Sequence, residues 1–162
     1  MNNFYKRKQL RLKQYNYADS GLYFITICVQ HHLKYFGEIT HDGLHLNQAG
    51  KMIEHLWLDI PKRFSTIELR EYIIMPNHFH AIIEINPQSP VSLGNVVGVF
   101  KSLTTNAYIK GVRGDNWLPF DKRLWQRNYY EHIIRDEVSH YFIAEYIQNN
   151  PLKWKEDKLY VQ

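Results

Sequence analysis

The sequence holds a single cysteine in 162 residues, and a chain with one thiol cannot close a disulfide within itself. Cys28 lies in the apolar run Tyr23 to Val29 and is expected to be a core residue. No window reaches the ~18 consecutive apolar residues that a membrane-spanning helix requires, and no signal-peptide pattern opens the chain. The expectation is therefore a cytoplasmic protein with no membrane partner. Internal repeats, low-complexity tracts and a linker long enough to divide domains are also missing. Charge of one sign is scarce as well. A net charge of +4 is only a mild bias toward a polyanionic partner.

Aromatic residues are what the chain has in excess. Twelve Tyr, eight Phe and four Trp supply core mass, and they also offer surfaces on which unpaired bases could stack. Hydrophobic residues at 44% and charged residues at 22% indicate an ordinary folded domain rather than a disordered chain. The organisation read from the sequence is a basic N-terminal segment over 1–20, a catalytic domain over 21–151 and a short tail over 152–162. The tail is too short to add a domain, and Trp154 to Tyr160 are expected to pack or fray.

Residues 22–29 are β-branched and aromatic and predict a buried strand. His41-Asp42-Gly43, between Tyr35–Ile39 and Leu44–Leu46, predicts a hairpin turn. Asn47 can cap a helix running to about Asp59, with Pro61 just beyond it. Ile67–Met75 and His78–Ile85 predict two strands joined at Pro76-Asn77. Ser92 starts a helix whose apolar residues Leu93, Val96, Val97, Phe100, Leu103 and Ala107 share one face, and Gly111 to Pro119 predicts a loop. A strand at Tyr129–Ile134 and a helix from about Asp136 to Asn149, stopped by Pro151, complete the order. This order predicts an α+β fold of ferredoxin-like type, an antiparallel sheet with helices packed on one face.

Two segments carry chemistry. His78 and His80 are alternate residues of a predicted strand, so both imidazoles project from one face while Phe79 points to the core. Neighbouring imidazoles on a rigid strand form half of a metal site; the plainer alternative is two surface histidines. Tyr146 and Asn150 are four residues apart on the last helix and stack on one face, beside Ile143 and Ile147, which must meet the sheet. Taken singly, Tyr146 is a rim residue and Asn150 a helix C-terminal residue. Together, a hydroxyl nucleophile, an amide oxygen and two imidazoles are what metal-assisted attack on a phosphate requires. A mixed nitrogen and oxygen donor set without thiolates suits Mg²⁺ or Mn²⁺ and argues against a closed structural zinc site.

At these residues the chain resembles the single-tyrosine HUH transposases, above all the REP-associated tyrosine transposases (RAYT). His78-Phe79-His80, preceded by Met75-Pro76-Asn77, is similar to that family's His-hydrophobic-His motif, and Tyr146 to Pro151 resembles its final-helix motif. Phe100 to Thr104 and Trp125 to Asp136 also look like family segments. The resemblance implies that Tyr146 is the nucleophile, that His78, His80 and Asn150 are metal ligands, and that the substrate is single-stranded DNA with hairpin or repeat ends. It implies a 5′-phosphotyrosine intermediate and a free 3′-hydroxyl. Where the insertion-sequence branch has Gln as last ligand, this chain has Asn150, one methylene shorter, which points to the REP-associated branch.

Tyr129 and Tyr130 are rival nucleophiles, but neighbours on a strand face opposite ways, so only one could reach a site. Lys101, Arg127 and Arg135 are candidate phosphate contacts, and Trp125 is either a base-stacking or a core residue. Three other functions share these motifs: a domesticated nuclease processing hairpin DNA, a non-catalytic nucleic-acid-binding module, and a metal-dependent hydrolase without a covalent step. The oligomeric state is open between monomer and homodimer.

Overall fold

The computed structural model describes residues 20–161; the basic segment expected over 1–20 lies almost wholly outside the described residues. A four-stranded sheet organises the rest, built from β1 (Gly21–Cys28), β4 (Ile67–Met75), β5 (His78–Ile85) and β6 (Tyr130–Ile134). The strands lie in the order β4-β5-β1-β6 and all neighbours are antiparallel. A small hairpin of β2 (Gly37–Thr40) and β3 (Gly43–Leu46) precedes α1 (Gln48–Leu58) and the one-turn α2 (Ile60–Arg63). The long α3 (Leu93–Gly114) connects β5 to β6, and α4 (Glu137–Asn149) follows β6. With the hairpin set aside, β1-α1-β4-β5-α3-β6 is the ferredoxin-like βαββαβ arrangement.

The predicted helix starts correspond to side-chain caps. Asn47 accepts from the Gly50 amide at 2.9 Å, Ser92 forms a reciprocal capping box with Asn95, and Asp136 accepts from the Ser139 amide at 2.7 Å. In contrast, α3 runs through Gly111 to Gly114, where the sequence predicted a loop. The hydrogen at Gly111 leaves room for the Trp117 ring to lie against the helix, and the Gly111 carbonyl accepts from the Asp115 and Trp117 amides. Gly111 thus marks a packing site on the helix, and the predicted loop is shortened to 115–119.

Tyr23, Ile25 and Ile27 of β1 and Phe79, Ala81 and Ile83 of β5 point to one face, against Ile53 and Trp57 of α1 and Val96, Val97 and Phe100 of α3. The one-face packing holds for these two helices. The added helix α4 takes the opposite face, where Ile147 is fully buried against Phe24, Ile82 and Ile134. A register shift in β4 between Leu69 and Tyr72 changes which residues face which way. Ile67 and Leu69 before it, and Tyr72 and Ile74 after it, all meet the larger core, while Ile73 meets the α4 face. Trp125 is buried, with its indole NH donated to Thr104 Oγ1 at 2.9 Å, which settles it as a core residue.

Gly50 sits where α1 crosses the β2–β3 hairpin, and an added Cβ would collide with the backbone carbonyl of Phe36. Backbone cannot swing aside as a side-chain tip can. Gly50→Ala is expected to lower stability by about 1–3 kcal/mol in urea unfolding, whereas an unchanged midpoint would show that the hairpin shifts freely.

Candidate metal and nucleophile site

Strand alternation puts Phe24, Thr26 and Cys28 of β1 on the α4 face, directly opposite Ile82, His80 and His78 of β5. Cys28 is therefore only partly buried and lines a cleft; the expectation of a core cysteine is corrected by parity, because the core takes the odd-numbered residues of β1. The cleft encloses about 700 Å³ and is lined by Phe24, Thr26, His80, Tyr130, Tyr146 and Asn150, together with residues 153 and 156–159. Tyr130 faces it, while Tyr129 packs on the opposite, larger core, so one tyrosine of that pair is near the site.

Both imidazoles are buried, with His78 at 0% and His80 at 2% exposure. His78 Nδ1 lies 2.8 Å from Asn77 Oδ1. The Asn77 amide is oriented by donating its NH₂ to the carbonyls of His32 and Leu159. Its oxygen can only accept, so the proton of His78 is on Nδ1 and Nε2 presents a bare lone pair. His80 Nδ1 lies 2.8 Å from Thr26 Oγ1, and an Nδ1–H donated there produces the same arrangement. Burial drives the His78 pKa down to about 4, helped by His32 and opposed by Asp157 and Asn150. Burial, then the neighbouring His78, holds His80 well below the usual histidine range. Both rings are neutral near pH 7, the form that binds metals.

The Tyr146 hydroxyl comes to 3.4 Å from His80 Nε2. Its ring stands edge-on to Phe24, which in turn stacks on His80 at 5.4 Å. Asn150, one helical turn on, is buried and donates its NH₂ to Asp157 Oδ2 at 3.0 Å. The Asp157 carboxylate reaches to 4.0 Å from His78 Nε2. Asp157 comes from the segment after α4, which packs back through the buried Trp154, 5.9 Å from the His78 ring. Sequence reasoning missed Asp157 because nothing in its local pattern links it to the histidines; the buried indole three residues earlier was the one available signal that this segment packs.

These residues fit a divalent ion. His78 Nε2 and Asn150 Oδ1 are buried without a hydrogen-bond partner, and unpartnered buried polar atoms are destabilising unless something fills the gap. Ligand atoms of His78, His80 and Asp157 lie within 4.8 Å of one another. Two imidazoles, an amide oxygen and a carboxylate are a mixed nitrogen and oxygen set. Burial, followed by the negative Asp157, raises the Tyr146 phenol pKa, and Asn150 opposes the shift, so a cation near the hydroxyl would be needed to favour the phenolate.

The three candidate phosphate contacts do not line the cleft. Lys101 is on α3, across the sheet, and its ammonium donates to the carbonyls of Gln126 and Arg127 at 2.7 and 3.0 Å. Arg127 is exposed on that same loop, and Arg135 is exposed just beyond the far end of β6, roughly 15 Å along the strand from Tyr130.

An antiparallel ferredoxin-like sheet with paired strand histidines and a helix tyrosine against them defines the class of HUH-type transposases. The family model described as "Transposase IS200 like" matches residues 45–150, and the chain belongs to that family. It is 42% identical to a Haemophilus influenzae protein named only as uncharacterized, over 96% of this chain and 93% of the other. A second Haemophilus influenzae protein, named as a candidate REP-associated tyrosine transposase, is 26% identical over 85% of this chain and 74% of its own length. In fold the chain is similar to a REP-associated tyrosine transposase solved with a REP hairpin, with a TM-score of 0.64 and 19% identity over 88% of this chain and 73% of that one. A candidate transposase from Deinococcus radiodurans has a TM-score of 0.53 and 16% identity over 86% and 95% of the two chains.

Because His78 is buried neutral, the unfolded chain binds more protons than the folded one between pH 6.5 and about 4. Stability is fully present above the upper value and is lost as pH falls through that window. For the metal-free protein the loss is expected to be roughly 3 kcal/mol by pH 4, read by urea unfolding in a pH series. A flat profile between pH 7 and pH 5 would contradict neutral burial.

Proposed function

We propose that the protein is a single-strand DNA nuclease and strand-transferase that uses Tyr146 as nucleophile. His78, His80 and Asn150 hold a divalent ion, Mg²⁺ or Mn²⁺, with Asp157 adding a carboxylate. The observation that carries this reading is the meeting of a half-exposed tyrosine hydroxyl with two buried neutral imidazoles and two unpartnered ligand atoms. An ion bound there would draw charge from a non-bridging phosphate oxygen and favour in-line displacement.

The residues of the chain do the rest. Asn77 and Thr26 fix the imidazole tautomers, and Phe24 holds the Tyr146 ring against His80. The tyrosine oxygen attacks phosphorus and its proton passes to solvent on the exposed side of the ring. The bond from phosphorus to the 3′-oxygen breaks, that oxygen takes up a proton, and the 5′-phosphate remains on Tyr146. Attack by a 3′-hydroxyl on the phosphotyrosine runs the same exchange in reverse, which is strand transfer. The substrate is single-stranded DNA with hairpin or repeat ends, the kind of ligand named for the REP-associated relative in fold. Tyr146 reaches histidines of its own chain, which supports a monomer that completes its site in cis. Arg127 and Arg135 serve as phosphate contacts outside the cleft; Lys101 serves chiefly to hold the Gln126–Arg127 loop.

The test incubates 5′- and 3′-labelled hairpin-bearing single-stranded libraries with Mn²⁺ and the protein, followed by denaturing gels. Wild type is expected to form a covalent adduct retaining the label 3′ to the cut. Tyr146→Phe and His78→Ala are expected to lose it by on the order of 10³-fold or more. An adduct that survives Tyr146→Phe would move the nucleophile to Tyr130, and cleavage without any adduct would indicate simple hydrolysis. DNA retained by every variant with no cleavage would indicate a binding module. In a second measurement, Asp157→Asn is expected to weaken Mn²⁺ binding about 10- to 100-fold by titration calorimetry; unchanged affinity would remove Asp157 from the ligand set.

A further inference from the structure

Tyr146 is one of several exposed rings on α4. Tyr141 and Phe142 are 65% and 60% exposed, and their rings meet edge-on at 5.6 Å. Phe142 lies four residues before Tyr146, so the two rings share a helix face about 6 Å apart along the axis. A groove of about 240 Å³ runs along this face, lined by Phe142, Glu145, Tyr146, Asn149, Asn150 and Lys153. It shares Tyr146, Asn150 and Lys153 with the cleft that holds His80. A continuous path therefore leads from Phe142 past the tyrosine hydroxyl to the histidines, with an ammonium group at the junction.

We infer that Phe142 is a stacking platform for an unpaired base of the bound strand, and that Lys153 meets the phosphate that follows it. This inference rests on the reading of Tyr146 as the nucleophile of a DNA-cutting site. An unpaired nucleotide offers an apolar face joined to an anionic phosphate, which complements a ring beside a lysine. Glu145, the acidic side chain of the groove, disfavours a phosphate at the Phe142 end and leaves the Lys153 end for it. The spacing of one helical turn lets the base on Phe142 and the phosphate in front of Tyr146 belong to neighbouring nucleotides. A duplex keeps its bases stacked on each other, so the platform selects single strands.

The experiment measures fluorescence anisotropy of labelled single-stranded oligothymidylate with the full chain, because stacking tolerates any base. Phe142→Ala and Phe142→Leu are expected to weaken binding roughly 5- to 100-fold, Phe142→Trp to retain it, and Val138→Ala, on the same helix, to leave it unchanged. Lys153→Gln is expected to reduce the slope of log affinity against log salt by about 0.7. Equal affinity for wild type and Phe142→Ala would overturn the proposal, as would conversion of a dimer to a monomer by Phe142→Ala in sedimentation, which would make this face an interface between copies. The Tyr146 adduct assay, run on the same preparations, separates the two readings. An adduct formed at the wild-type rate by Phe142→Ala leaves the nuclease standing without the platform, and weakened binding with no adduct in any variant leaves the platform without the nuclease.

Discussion

The antiparallel pairing of β1 with β5 is the constraint on which the rest depends. It sets Thr26 opposite His80 and Cys28 opposite His78, so the partner that orients one imidazole comes from the neighbouring strand at the same register position. A slip of one residue would turn both histidines into the helix-packed core and bring Phe79 out. The larger core prevents this, because Ile25, Ile27, Phe79, Ala81 and Ile83 fill it, and a slip would put Thr26, His78 and His80 in their places. Packing on one side of the sheet thus fixes the chemistry displayed on the other.

Burial of the histidines has two consequences that act together. Desolvation keeps both rings neutral, and hydrogen bonds to Nδ1 leave Nε2 facing inward, so the pair is preorganised to receive a cation rather than to carry a proton. The same burial leaves His78 Nε2 and Asn150 Oδ1 without partners. An ion held by these atoms would remove that cost. Tyr146 completes the picture from the other direction, since burial and Asp157 both disfavour its phenolate until positive charge is supplied.

Much of this was legible in the chain. The caps at Asn47 and Ser92, the helix start near Asp136, the break at Pro76-Asn77 and the alternation in β1 and β5 located most elements, because each is a local signal with a local cause. The i, i+2 spacing of His78 and His80 and the i, i+4 spacing of Tyr146 and Asn150 predicted shared faces for the same reason. The loop read over Gly111 to Pro119 begins four residues late, at 115, because Gly111 serves the Trp117 ring, a contact six residues away that no helical pattern encodes. The parity change in β4 was equally hidden, since a register shift is defined by the partner strand. Lys101 looked like a free cation in sequence, yet two loop carbonyls claim it.

The sequence by itself determined the antiparallel α+β class, where the helices start, and which side chains lie side by side on one strand or one helix, because caps and backbone periodicity are local wherever the element forms. Only the tertiary structure decided that α4 crosses the face of the sheet away from α1 and α3, so that the tyrosine meets the histidines across 66 residues of chain. It alone brought Asp157 back beside His78 and put Cys28 in the cleft. Those outcomes are distances between elements, and they follow from how the apolar faces of the whole chain can be buried at once.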